Sequence, residues 1–190
     1  MKTLILGTAA WAVCMAPALA DDLWDDRGNG DGDDNQAGWY LGAGAGVQKL
    51  ESYDPGYQGV LLIGYTLPYR NPDAPMSTIS VESEFTRTFE PMERRRRGVV
   101  REAELTTGGV YLAANTHVSQ RIFYRARIGG VLRYLERDDA SNNLQARLGF
   151  GLGLGFKVLR NLDLVTDAGI EYFGASPLTF TGTVTARVHF

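Results

Sequence analysis

Residues 144–158 read LQARLGFGLGLGFKV. Every even position is apolar: Leu144, Ala146, Leu148, Phe150, Leu152, Leu154, Phe156 and Val158. The odd positions hold Gln145, Arg147, Gly149, Gly151, Gly153, Gly155 and Lys157. A strand turns successive side chains to opposite faces, so this stretch has one wholly apolar face and one face of polar groups and glycine. A helical period of 3.6 would scatter the same residues around the axis.

Neighbouring segments repeat the partition. In 122–134, Ile122, Tyr124, Ala126, Ile128, Leu132 and Tyr134 oppose Arg125, Arg127 and Arg133. In 162–172, Leu162, Leu164, Ala168, Ile170 and Tyr172 oppose Asp163, Asp167 and Glu171. In 178–190 an apolar row from Leu178 to Phe190 opposes Thr179, Thr181, Thr183, Thr185, Arg187 and His189. Three earlier strands are read around 39–47, 61–67 and 79–89, the last setting Ile79, Val81 and Phe85 against Glu82 and Glu84. Around 103–114 the phase is open, because Val110, Leu112 and Ala114 compete with Leu105, Tyr111 and Ala113 for the apolar face. Turn residues lie between the segments, at Pro68 to Pro75, Asn115 to Gln120, Asp138 to Asn143 and Arg160-Asn161.

The eight strands fit the ~9–11 residues that a tilted strand needs to cross a bilayer. A soluble sandwich also alternates, but its polar face meets water. Here that face carries glycines and charges of both signs. Glu82, Glu84, Asp163, Asp167 and Glu171 share a side with Arg125, Arg127, Arg133, Arg147, Lys157 and Arg187. Such groups tolerate burial when paired. An apolar exterior in lipid requires a closed wall with no free edge. The fold expected is all-β, an eight-stranded antiparallel up-and-down transmembrane barrel over 38–190. Trp39, Tyr57, Tyr134, Tyr172 and Phe190 form its expected interfacial girdles. Eight strands leave an interior that side chains fill, so a wide channel is not expected; Tyr40, Leu62 and Phe173 are candidates to occupy it.

The rest of the chain agrees. Residues 1–20, MKTLILGTAAWAVCMAPALA, combine Lys2, an apolar stretch and Ala18-Leu19-Ala20, the pattern of a cleaved signal peptide. Trp11-Ala12-Val13 before Cys14 makes a poor lipobox, so the single cysteine leaves with the signal. Residues 21–37, with seven Asp and three Gly, read as an acidic disordered leader. Asn29, Asp31 and Asp33 alternate as in a calcium loop, but Asp34 and Tyr40 stand where an EF-hand needs Gly and a bidentate Glu. A net charge of −3 argues against general nucleic-acid binding. One Cys and two His in 190 residues give no metal-binding pattern, and no cofactor is expected.

The opening Gly38-Trp39-Tyr40-Leu41-Gly42-Ala43-Gly44, the glycine-rich Gly149 to Gly155 and the closing Thr183 to Phe190 resemble the small outer-membrane barrel family of the OmpA-type transmembrane domain, OmpX and the opacity proteins. The resemblance implies location in the outer membrane and assembly by periplasmic chaperones and the barrel-assembly machinery. That machinery would read Val184, Ala186, Val188 and Phe190, although Thr185 stands where the family usually has Gly. It implies contact with membrane lipid and lipopolysaccharide, and a monomer. No peptidoglycan-binding domain follows the barrel, so cell-wall tethering is not expected.

Three functions are compatible with this reading: a structural or surface-interaction barrel without catalysis, a narrow pore for small solutes, and a lipid-modifying enzyme. The third draws on a resemblance to barrel enzymes that deacylate lipid A through His-x-Ser. His117-Val118-Ser119 has that spacing, but Gln120 replaces the family's Asn, and the nearest downstream carboxylate is Glu136. Arg94-Arg95-Arg96-Arg97 falls in the second outward loop, where arginine suits lipopolysaccharide phosphates. Glu90, Glu93, Glu102 and Glu104 flank the run, so a solvated hairpin tip with local ion pairs is the alternative.

Overall fold

A computed structural model describes residues 37–51, 53–68, 77–96, 99–137, 143–172 and 178–190. The expected signal peptide, almost all of the acidic leader, Arg97 and Phe173 lie outside these residues. Among the described residues nine strands follow one another: β1 (Gly38–Leu50), β2 (Gly56–Thr66), β3 (Ser77–Thr88), β4 (Met92–Arg96), β5 (Val99–His117), β6 (Ile122–Arg137), β7 (Asn143–Leu159), β8 (Leu162–Tyr172) and β9 (Thr179–His189). Each pairs antiparallel with its neighbours, β9 closes on β1, and β3 and β4 both pair with β5. The ring therefore has eight walls, one of them built from β3 and β4.

The register sets the dimensions. Stepping between paired residues from Tyr40 leads through Gly64, Glu82, Tyr111, Gly129, Gly149, Glu171 and Thr179. The path re-enters β1 at Leu50, ten residues beyond its start. Eight walls with that stagger tilt by roughly 40° and enclose a backbone cylinder about 8 Å in radius, which side chains can fill.

Alternation then assigns the faces. Leu148, Phe150, Leu152, Leu154, Phe156 and their counterparts on every wall are exposed. The open phase of β5 resolves with Val110 and Leu112 outside and Leu105, Tyr111 and Ala113 buried inside. At the end where β1 starts and β9 finishes, Trp39, Tyr65, Tyr124 and Phe190 face outward, with Trp39 against Tyr65 at 5.0 Å between ring centroids. At the far end Tyr57 stacks on Phe89, and Tyr134 and Tyr172 of the expected second girdle also face outward.

The wall of β3 and β4 is interrupted at residues 89–91, where Pro91 lacks the N–H that a ladder needs. Two extra residues enter here: Arg87 pairs with Thr106, but Met92 pairs with Ala103. The Thr88 hydroxyl bridges the gap by accepting the Leu105 N–H at 2.8 Å. Beyond the break, β4 and the start of β5 form a hairpin that extends past the end of β6 at Arg137.

Candidate functional site: the lumen and its two ends

All eleven charged residues expected inside belong to the inward alternation. Ten of them are buried; Lys157 is half-buried. At the centre, Arg125 of β6 meets Glu82 of β3 through both terminal nitrogens, with Nη1 donating to Oε1 at 2.5 Å. Its Nε donates to Asp167 Oδ1 at 3.1 Å, and the Tyr40 hydroxyl donates to Glu82 Oε1 at 2.5 Å. Arg127 pairs with Glu84 and lies over the Tyr111 ring, 4.6 Å from its centroid.

Toward the termini, Arg187 links Asp163 (3.3 Å) to Glu82 (3.6 Å), and His189 Nε2 lies 2.8 Å from Asp163 Oδ2. Toward the far end, Arg133 donates to Thr179 Oγ1 and to Gln145 Oε1, both at 2.6 Å, and Arg147 also reaches Gln145 Oε1. Polar layers thus succeed one another along the lumen from His189 to Gln145.

The glycine row of β7 makes space for these layers. A Cβ at Gly149 would lie 2.8 Å from Tyr111 Cε1, and one at Gly151 would lie 2.8 Å from Arg127 Nε. Cβ atoms at Gly153 and Gly155 would collide with Asp167 and the Phe123 ring. Tyr40 and Leu62 are buried inside as expected, while Tyr111 and Phe123 fill the volume that the glycines free. The space left around Tyr111 is a small polar cavity with room for about one water.

Above these layers stands a feature that alternation concealed. Leu50, Tyr53, Met92, Ala103, Leu105 and Leu135 form one buried apolar cluster at the far end of the barrel. Leu50, Met92, Leu105 and Leu135 are apolar residues on the nominally polar face, all near the same end of their strands. That shared position was the available signal.

Arg94, Arg95 and Arg96 belong to strand β4 rather than to a loop, and Arg97 lies outside the described residues. The β4 register sets Arg94 opposite Arg101 and Glu93 opposite Glu102. Of the flanking glutamates, Glu104 pairs with Arg87 at 3.7 Å. Arg94 lies over the Tyr53 ring at 5.8 Å.

His117 ends β5 with its ring 5.2 Å from that of Phe123, and Ser119 sits in the turn before β6. Ser119 Oγ accepts the N–H groups of Arg121 (3.3 Å) and Ile122 (3.1 Å), which shapes the turn. Glu136 is exposed at the opposite end of β6, about 45 Å along the strand, so it cannot orient His117. The residues expected to form the assembly signal lie on β9 and just after it: Val184 and Phe190 are exposed, and the Phe190 N–H donates to Trp39 O at 3.0 Å, closing the seam. Among the described residues, no group of three or more His, Cys, Asp or Glu is placed to hold a metal.

No protein-family description and no curated protein matches the chain by sequence. Solved structures do match. Neisserial surface protein A aligns over 82% of this chain and 99% of its own, with 17% identity and a TM-score of 0.60. Ail of Yersinia pestis, solved with the heparin analogue sucrose octasulfate, aligns over 82% and 99%, with 12% identity and a TM-score of 0.55. The outer membrane enzyme PagL aligns over 78% and 98%, with 9% identity and a TM-score of 0.51. The chain has the fold of the small eight-stranded outer-membrane β-barrels.

Proposed function

We propose that this chain is an integral protein of the bacterial outer membrane with a structural or surface-interaction role, carrying out no catalysis and conducting no solutes. One observation carries the reading: an apolar exterior encloses a lumen occupied by ion pairs and topped by an apolar cluster. Lipid satisfies the first face and close packing the second. In this reading the termini lie in the periplasm and the β4–β5 hairpin stands on the outer side. There Arg94, Arg95, Arg96 and Arg97 meet lipopolysaccharide phosphates, which suit the guanidinium group. Chaperones deliver the unfolded chain, the assembly machinery reads the end of β9, and the product is a monomer.

The test is cell fractionation with heat-dependent gel mobility, followed by planar-bilayer recording of the refolded protein. The chain should enter the outer-membrane fraction, run differently before and after boiling, and remain electrically silent. Stepwise conductance would replace this reading with a pore. Replacing all four arginines by Gln should lower lipopolysaccharide retention at low salt; unchanged retention would remove the contact from the proposal.

A further inference from the structure

Gln48 and Gln58 lie inside the barrel on adjacent strands, each 0% exposed, and no protein group pairs with any of their four amide nitrogen and oxygen atoms. The register places them diagonally, Gln48 opposite Gly56 and Gln58 opposite Gly46. On their other sides Gln48 pairs with Thr181 and Gln58 with Thr88, yet neither threonine hydroxyl bonds to an amide. Across the lumen on β8, Glu171 is buried and its Oε2 also has no partner. Gln58 and Glu171 border the same small cavity, together with the side chains of Thr86, Thr107, Thr181 and Thr183.

We infer that this cavity is a binding site for ordered water, which joins the Gln58 amide to the Glu171 carboxylate through the threonine hydroxyls. Buried polar groups of this kind are satisfied by protein or by water, and a buried water needs two to four polar partners. The walls supply donors and acceptors of both kinds, in a volume suited to a single small molecule. Charge favours water over a cation: the two carboxylates at the cavity, Glu84 and Glu171, are balanced by Arg127 in its wall and by Arg133 and Arg147 beside Glu171, so no negative excess is left for a positive ion. The site lies between the Glu84–Arg127 pair and the Arg133–Arg147 layer. It carries the polar layers up to the underside of the apolar cluster, so that cluster marks the limit of hydration.

The test is magnetisation transfer from water to side chains by NMR, on the protein refolded in lipid nanodiscs with labelled glutamine. The Gln58 side-chain NH2 should show a cross-peak to a slowly exchanging water. In Gln58→Leu the threonine hydroxyls should lose their water signals while heat-dependent mobility is kept. A wild-type Gln58 amide without a water cross-peak, or with the Gln48 amide as its sole partner, overturns the site. The wild-type spectrum decides this even where Gln58→Leu fails to fold, and Gln48→Leu, which leaves Gln58 intact, provides the control.

Discussion

Arg125 and Glu82, 43 residues apart in sequence, face each other across the β5 wall and meet through both terminal guanidinium nitrogens. Glu82 also accepts from Tyr40 and faces Arg187, so one carboxylate ties β1, β3, β6 and β9 together. Glu82→Gln would leave a buried cation without its counter-charge and should destabilise the barrel by about 3–5 kcal/mol. The double variant Glu82→Met, Arg125→Met should lose much less. Urea unfolding in lipid vesicles measures both; equal losses would mean that the pair contributes through shape alone.

Glycine positions should divide sharply by face. A Cβ at Gly155 falls within the Phe123 ring, whereas the space around Gly59 and Gly108 is open. Gly155→Ala should cost about 1–3 kcal/mol by overpacking. Phe123→Leu in the same chain should recover part of it, while Gly108→Ala should stay near wild type. The folded fraction on unheated gels reports each case.

The apolar cluster makes a separate prediction for conduction. Leu135→Ala should cost about 2–5 kcal/mol through the cavity it leaves. With Met92→Ser and Leu135→Ser together, a seal made by this cluster should give way to brief stepwise currents. A silent double variant would locate the barrier among the ion pairs below.

Ser119 acts here as a turn acceptor for two backbone donors. Ser119→Ala should lower stability by about 0.5–1.5 kcal/mol. Lipid A from cells expressing wild type, Ser119→Ala or His117→Ala should show one acyl pattern by mass spectrometry. A difference confined to the wild type would establish lipid modification.

Much of the architecture was legible because alternation is local. Leu144 to Val158 declares its two faces without reference to any other segment, and Asp163, Arg187 and Arg125 were placed inside on that ground. The phase of residues 103–114 was not legible. Both of its faces carry apolar residues, and only pairing with β3 and β6 turns Tyr111 and Leu105 inward. The strand through Arg94 to Arg96 escaped notice for a related reason: Pro91 and the two-residue shift hide its continuity with β3.

Side-chain alternation and composition, both properties of neighbouring residues, were enough to determine every strand but β4, every face but that of residues 103–114, and the sign of each lumen charge. Which charges meet was decided by the ten-residue stagger of the closed ring, because partners such as Glu82 and Arg125 come together only once every wall has its register. The apolar cluster and the two buried, unpartnered glutamines arose the same way. Each of their residues is ordinary in its own strand and gains its meaning from what the barrel brings opposite it.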